Sequence, residues 1–315
     1  MSDDPAALHV PVLLDEVIQA FSPLDGKTLV DGTVGLGGHS DALLQSSETL
    51  RIVGIDRDRE ALEWAAKRLA RHGDRIRLIH GNFRDLGSHL DELEIGPVDG
   101  VLLDIGVSSL QLDTAERGFS FRRDGPLDMR MDRQAAHTAA AWIHEATESE
   151  IADVLFRYGE ERYARRIARA IASRRDEHPI ETTSELAEIV RGAVPARYDH
   201  GRLHPATRSF QAIRVFVNDE LEALNLGLES GFDRLKIGGT MVVISFHSLE
   251  DRAVKRFFRE KAKDCVCPPE LPACVCDKQV EAEILTPRPL RAAAAETGTN
   301  PRARSARLRA ARRLV

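Results

Sequence analysis

Aromatic residues make up only 5% of this 315-residue chain, and no apolar run approaches the roughly 20 residues that a membrane-spanning helix needs. No membrane association is therefore expected. The N-terminal MSDDPAALHV carries acids where a secretory signal needs positive charge, and the four cysteines are confined to residues 265–276 rather than spread as a disulfide framework. A cytoplasmic protein is the resulting expectation. There is no Gly-x-x-x-x-Gly-Lys-Ser/Thr loop, which removes the usual cradle for a nucleotide polyphosphate. Positive charge is in deficit as well: 44 Lys and Arg against 50 Asp and Glu leave a net −6, which argues against a chain that wraps nucleic acid with its whole surface. The deficit is uneven. Residues 288–315 hold eight Arg and one Glu, a local +7, so residues 1–287 carry −13.

What is present, 43% hydrophobic and 30% charged residues over this length, is enough for two domains. Thr28–Asp31, Arg51–Asp56, Arg75–His80 and Val98–Asp104 read as strands separated by amphipathic stretches, with Ala61, Leu62, Ala65, Ala66 and Leu69 at helical spacing between the second and third. That alternation is the pattern of a parallel sheet with crossover helices. The next strand is Thr240–Phe246, with 135 residues between Asp104 and Thr240, whereas a βαβ unit needs about 30. An inserted domain accounts for the gap. It reads as helical, with capping boxes at Thr147-x-x-Glu150 and Thr182-x-x-Glu185, a helix from about Glu160 to Arg175, and one from about Pro205 to Leu224 that returns to the sheet. Beyond Phe246 follow a helix over Leu249–Lys263, a strand over Val280–Leu285, and a period-2 alternation of Ala306, Leu308 and Ala310 with Arg307 and Arg309. If these last strands are antiparallel, Glu281 and Glu283 face Arg307 and Arg309, and part of the basic tail is a neutralised edge strand.

Asp31-Gly32-Thr33-Val34-Gly35-Leu36-Gly37-Gly38-His39-Ser40 follows the first strand, where glycines let the backbone approach a ligand. A dehydrogenase fingerprint starting at Gly35 would place its third glycine at position 40, which is Ser40. By itself such a turn equally serves chain reversal. Its weight comes from the neighbouring strand ends: Asp56 closes the second strand, Asn82 and Phe83 follow the third, and Asp104 closes the fourth. In an open α/β sheet these ends line one crevice. Asp56 suits a pair of ribose hydroxyls, Phe83 offers a flat apolar face for adenine, and a carboxylate-rich crevice suits a cationic sulfonium better than a polyphosphate. Asp56 alone also fits a solvated turn acid. The set together points to S-adenosyl-L-methionine.

These segments have the look of a known family. HVPVLLDEV (His9–Val17), DGTVGLGGHS (Asp31–Ser40), GIDRD (Gly54–Asp58), LLDIGVSSLQLD (Leu102–Asp113), ERGFSFRRDGPLDMRMD (Glu116–Asp132), HPATRSFQAIRVFVNDEL (His204–Leu221), ISFHSLEDRAVKRFF (Ile244–Phe258) and NPRARSARLR (Asn300–Arg309) resemble the bacterial small-subunit ribosomal RNA methyltransferase H family. The resemblance implies an α/β fold: a Rossmann-like S-adenosylmethionine-dependent methyltransferase sheet, here residues 1–114 and 213–315, interrupted by an all-helical substrate-recognition domain, residues 115–212. It also implies methylation of N4 of a cytosine in the decoding (P-site) region of 16S rRNA, within the small ribosomal subunit. Carried over by position, the cofactor contacts are Gly37, Gly38, His39, Asp56, Phe83, Asp104 and Gln111.

Cytosine N4 is a poor nucleophile because its lone pair is conjugated with the ring, so an acceptor for an N4 hydrogen is expected: Asp104, or a Ser108 or Ser109 oxygen. Amino-methylating enzymes of the Asp-Pro-Pro-Tyr type stack an aromatic on the base, but Asp104-Ile-Gly-Val-Ser-Ser109 has none, which leaves Phe119 and Phe121 as stacking candidates. After the fifth strand, Ser248 and Asp251 have capping-box spacing, while His247 is less easily explained as a cap and is a candidate substrate contact.

For RNA, the stretch RYARRIARAIASRR gathers six Arg without an acid, and Arg165 and Arg169 stand for its phosphate-facing side, although such runs also occur as plain solvated faces. Arg117, Arg122, Arg123 and Arg130, interleaved with Phe119 and Phe121, are the base-contacting candidates. Cys265-Val-Cys267 and Cys274-Val-Cys276 put four thiols within reach of one metal, but Cys-x-Cys is not the usual spacing, and reduced cysteines in a Pro-rich loop (Pro268, Pro269, Pro272) fit equally; no metal ligand is assigned. A homodimer is left open. Two competing readings are a non-catalytic RNA-binding assembly factor on the same fold and a methyltransferase acting on DNA cytosine.

Overall fold

The apolar runs of the N-terminal third each end in a polar residue, and strands covered on both faces have this continuous apolar character. In the computed structural model, which describes residues 11–195, 204–268 and 275–315, the chain begins with α1 (Leu14–Phe21), β1 (Thr28–Asp31), α2 (Gly38–Gln45), β2 (Arg51–Asp56), α3 (Arg59–Leu69), β3 (Ile76–His80), α4 (Leu86–Glu92) and β4 (Val98–Asp104). A helical stretch follows: α5 (Ser109–Asp113), α6 (Ala139–Glu145), α7 (Glu148–Gly159), α8 (Ala164–Glu177), α9 (Thr183–Ala193) and α10 (Thr207–Val217). Then come α11 (Glu220–Asp233), β5 (Leu235–Ser245), α12 (Ser248–Lys261), β6 (Ala282–Ile284), α13 (Ala294–Thr299) and β7 (Arg307–Arg313). Of the residues singled out above, His9, Pro269, Pro272 and Cys274 lie outside the described residues. Among the described residues, no helix is long and apolar enough to cross a membrane.

The strands form one sheet in the order β3-β2-β1-β4-β5-β7-β6, parallel from β3 to β5, with β7 antiparallel to both β5 and β6. This is the expected Rossmann-like methyltransferase sheet. Alternate residues serve its two faces. Val30, Val53, Leu103 and Val243 pack with Leu224, Leu228 and Phe232 of α11, while Leu29, Ile52, Leu102 and Val242 pack with Val17, Phe21 and Leu43. Full burial of each such side chain contributes about 1.5–3 kcal/mol. β5 starts earlier than its expected Thr240, because Gly238 (φ +83°) makes a bulge between two ladders, Val98 opposite Leu235 and Gly100 opposite Thr240.

By contacts the chain divides into two units, one comprising residues up to Gly106 with Leu221–Val315, the other Val107–Glu220; the sequence reading set these boundaries at 114/115 and 212/213. The second unit has its own core, built from Ile151, Leu155, Ile167, Ile171, Leu186, Val190, Phe210 and Ile213. Both expected capping boxes are present, with Thr147 and Thr182 receiving the Glu150 and Glu185 amides at 3.2 and 3.3 Å. The helix expected from Glu160 begins at Ala164, because Glu160 takes a left-handed conformation that closes α7. The helix expected over Pro205–Leu224 is broken after Val217, where Asp219 has φ +49° and the Asn218 side chain bonds the Met131 amide and the Met129 carbonyl.

The C-terminal alternation is an edge arrangement, but its ion pairs differ from those expected. The register sets Glu283 opposite Arg312, which pairs with it at 3.0 Å. Glu281 pairs with Lys261 at 3.2 Å and with Lys278. Arg307 and Arg309 instead converge on Asp251 of α12, at 3.1 and 2.7 Å.

Candidate active site

The parallel ladders carry Asp31, Asp56 and Asp104 to the carboxyl edge of one sheet, as the last residues of β1, β2 and β4. Asp31 is 2% exposed; its carboxylate accepts from the Ser40 hydroxyl at 2.7 Å and the Thr33 amide at 3.2 Å. Burial, opposed by these two bonds, pushes its pKa up to about 6. Asp56 receives the Asp58 amide on one oxygen at 2.9 Å and the Gly35 amide on the other at 2.7 Å, which leaves each oxygen further lone-pair capacity. Burial raises this carboxyl to about 6 as well.

Asp104 is the most perturbed member. Its Oδ1 is buried without a hydrogen-bond partner among the described residues, and its pKa is raised well above the usual carboxylate range by burial, then by repulsion from Asp31 and Glu250. His39 stands beside it, with Nδ1 3.6 Å from Asp104 Oδ2 and Nε2 2.9 Å from the Val12 carbonyl. With Nε2 donating to that carbonyl, Nδ1 presents a lone pair to Asp104 unless one of the two groups holds a proton. His39 lies in the first turn of α2, entered through Gly37 at φ +80°, where a Cβ would stand 3.1 Å from the Leu69 side chain. Glycine is what that turn admits.

None of the three carboxylates is ion-paired with a Lys or Arg among the described residues. A half-dehydrated acid cluster without a cation is a site whose charge calls for a positively charged ligand. A sulfonium cofactor fits that donor set.

Other expected site residues have different settings. The Phe83 ring is in the core, 9% exposed and packed where Gly227 has no side chain, so its face is not an open platform for adenine. His247 turns out to be the cap of α12: its Nδ1 receives the Glu250 amide at 3.5 Å, while the Glu250 carboxylate receives the Phe246 and His247 amides at 2.9 and 3.2 Å. The box is thus His247/Glu250, not the expected Ser248/Asp251, and Asp251 is left for the two arginines of β7.

In the second unit, Ser108 and Gln111 form a capping box at the start of α5, with bonds of 3.2 and 3.1 Å, and Ser109 is the first residue of that helix. Arg117 is 1% exposed with its guanidinium on the Met131 carbonyl at 2.9 Å, and Phe119 is 7% exposed. Phe121 packs against His204 and Phe210, with ring centroids 4.6 and 4.8 Å away, and Arg130 forks onto Asp128 at 2.8 Å. Of this expected base-contacting group only Arg122 and Arg123 are exposed. On α8, Ile167 and Ile171 are buried and Arg165, Arg166 and Arg169 are exposed, as is Arg162 just before it, with Arg169 within 3.6 Å of Glu148. Sequence reasoning missed Asp31, the His39–Asp104 pair and Glu250; the strand-end rule that selected Asp56 and Asp104 applies equally to Asp31.

A profile of the MraW methylase family matches residues 6–314. The chain is 53% identical to a protein of Syntrophotalea carbinolica named ribosomal RNA small subunit methyltransferase H, over 97% of this chain and 98% of that one. A protein of the same name from Symbiobacterium thermophilum is 52% identical over 96% and 95% of the two chains. With a methyltransferase-type sheet, an acid cluster at its carboxyl edge and a family match along nearly its whole length, the chain belongs to the MraW methylase family.

Proposed function

We propose that this methylase uses S-adenosyl-L-methionine to methylate N4 of a cytosine in the decoding (P-site) region of 16S rRNA, within the small ribosomal subunit. The observation that carries the reading is the buried, unsatisfied Asp104 carboxylate beside His39 at the end of β4. The resemblance along the chain supplies the substrate. Bound S-adenosylmethionine supplies a methyl group already activated on a positively charged sulfur.

What the chain must supply is alignment and a place for the N4 proton; positioning of this kind is worth about 7–11 kcal/mol of barrier. Asp56 takes the ribose hydroxyls on its remaining lone pairs, and Gly37 and Gly38 bring main chain close to the ligand. His39, Asp104 and Gln111 complete the cofactor set, with Phe83 contributing through its main chain and ring edge. Asp104 accepts the N4 hydrogen through Oδ1, drawing the amine lone pair out of conjugation. As the N4–CH3 bond forms and the sulfur–CH3 bond breaks, that proton passes to the carboxylate. A raised pKa makes Asp104 a competent resting place for it. Ser108 and Ser109 are secondary acceptors, and His247, engaged as a cap, orients the start of α12. The exposed Arg face of α8, with Arg122 and Arg123, contacts phosphates.

Nucleoside mass spectrometry of 16S rRNA tests the reading. A deletion strain is expected to lose N4-methylcytidine from one decoding-region fragment, with wild-type protein restoring it and Asp104→Asn failing to. Unaltered N4-methylcytidine in the deletion strain, or label from the methyl-labelled cofactor appearing on another base, refutes it. Absence of any transfer to small-subunit particles by the active-folded protein would favour the assembly-factor reading.

A further inference from the structure

We propose that Cys265, Cys267 and Cys276 form a structural zinc–thiolate site in the excursion between α12 and β6. Their Sγ atoms all lie within 4.8 Å of one another, and those of Cys265 and Cys276 are 3.8 Å apart. A tetrahedron with zinc–sulfur bonds of about 2.3 Å has edges of about 3.8 Å. A disulfide would bring the sulfurs to about 2.05 Å.

Two backbone amides are aimed at these sulfurs. Cys267 N–H donates to Cys265 Sγ at 3.3 Å, and Val275 N–H donates to Cys267 Sγ at 3.4 Å. Amide donors on sulfur favour the thiolate, which is the metal-binding form, and orient it as outer-shell partners do. Clustered thiolates select a soft or borderline cation, and zinc accepts this donor set without redox chemistry. A four-iron cluster would attach each thiolate to a separate iron and hold them farther apart.

The segment also needs such a clip. Its base is closed where the Glu281 amide donates to the Lys261 carbonyl at 2.8 Å, so the chain leaves α12 and returns to the same point. Between these ends Val266 and Val275 are 56% and 77% exposed, so these two apolar side chains build no core for the excursion. A metal substitutes for a core in segments of this size. The fourth vertex is not assigned.

Elemental analysis of the full-length protein, purified untagged, is expected to give about one zinc per chain, falling at least tenfold in a Cys265→Ser/Cys276→Ser variant of unchanged circular dichroism. Cobalt-exchanged wild-type protein is expected to show an intense sulfur-to-cobalt charge-transfer band, an arm that needs no variant to fold. Zinc below one-tenth per chain together with no charge-transfer band overturns the proposal. So does undiminished zinc in the double variant, iron with sulfide in place of zinc, or a Cys265–Cys276 disulfide in the non-reduced mass spectrum.

Discussion

Asp31→Asn is expected to make the ligand-free protein more stable while weakening its hold on a cationic cofactor. A carboxyl with a pKa of about 6 in the fold and an ordinary value of 3.8 costs about 3 kcal/mol at neutral pH, at about 1.36 kcal/mol per pKa unit. An acid whose folded-state pKa lies above its unfolded value binds its proton more tightly when folded. Stability therefore falls as pH rises from about 4 to about 6 and stays reduced above that window. Asparagine removes the ionisation while keeping the contacts: its carbonyl still accepts from the Thr33 amide, and the Ser40 hydroxyl rotates to accept from the new amide.

In a Trp142→Phe background, Trp64 fluorescence reports unfolding of the sheet unit in urea. Asp31→Asn should gain up to about 3 kcal/mol at pH 7.5, little at pH 4, and show a flatter slope between. Calorimetry should show S-adenosylmethionine affinity falling several-fold more than that of the uncharged S-adenosylhomocysteine, because only the first carries the sulfonium. Equal or lower stability of the variant at pH 7.5, or an unchanged slope between pH 4 and 6, refutes the account of Asp31 as an uncompensated buried acid.

Asp104→Asn should lower single-turnover methyl transfer at saturating cofactor by about 10²–10⁴-fold, the range for loss of a general base, with S-adenosylhomocysteine binding changed far less. Reversing Arg165 and Arg169 to Glu should weaken binding to small-subunit particles at least tenfold and reduce the salt-dependence slope by about 2, with cofactor affinity intact; filter binding across a salt series reads both. Arg309→Met leaves Asp251 with Arg307 as its remaining arginine partner and should cost about 1.5–3 kcal/mol in urea titration, the range for a lost hydrogen bond to a charged group. In the wild type, burial would raise the Asp251 pKa but the Arg309 and Arg307 contacts hold it below the ordinary value, so their stabilisation is present above about pH 4 and is lost as pH falls further. The variant should keep only the smaller part of that acid-side loss that Arg307 still supports.

Three of the four N-terminal strands match their sequence reading at both ends, and Arg75–His80 differs by one residue at its start; each ends in a polar residue, Asp31, Asp56, His80 or Asp104, and that marks the strand end in sequence. The capping boxes at Thr147 and Thr182 were legible for a similarly local reason. Arg117 and Phe119 were not: in sequence an arginine that folds back onto the Met131 carbonyl looks the same as one that reaches for RNA. The cap of α12 was misread by one residue because serine outranks histidine as an N-cap by propensity. β5 ends at Ser245, one residue before the expected Phe246, and that end puts His247 at the cap and Glu250 at the third helical position. The tail pairing failed on register, which the alternation alone does not fix: the ladder sets Glu283 opposite Arg312, five residues beyond the Arg307 that the expected pairing needs, and an odd shift puts Arg307 and Arg309 on the other face, where they meet Asp251.

The acids themselves carry the sharpest distinction, and it is one of partners rather than of position in the sequence. Asp128 and Asp251 are each gripped by arginine, Asp41 by Arg71, Arg68 and the His72 ring. In each case burial alone would raise the pKa, yet these hydrogen bonds bring it below the ordinary value, to about 2 for Asp41. Asp31 and Asp56 are held by amides and a hydroxyl, and Asp104 has only the His39 ring beside it; burial pushes all three pKa values up. Among the described residues, these structural acids are paired with arginine, whereas those at the strand ends have no Lys or Arg within ion-pair distance. That leaves standing a cost of about 3 kcal/mol each for Asp31 and Asp56, which a cationic ligand bound there as proposed would offset. If these acids hold the cofactor as proposed, a cofactor that loses its positive charge on giving up its methyl group is held less tightly after transfer than before, and the same strain favours its release.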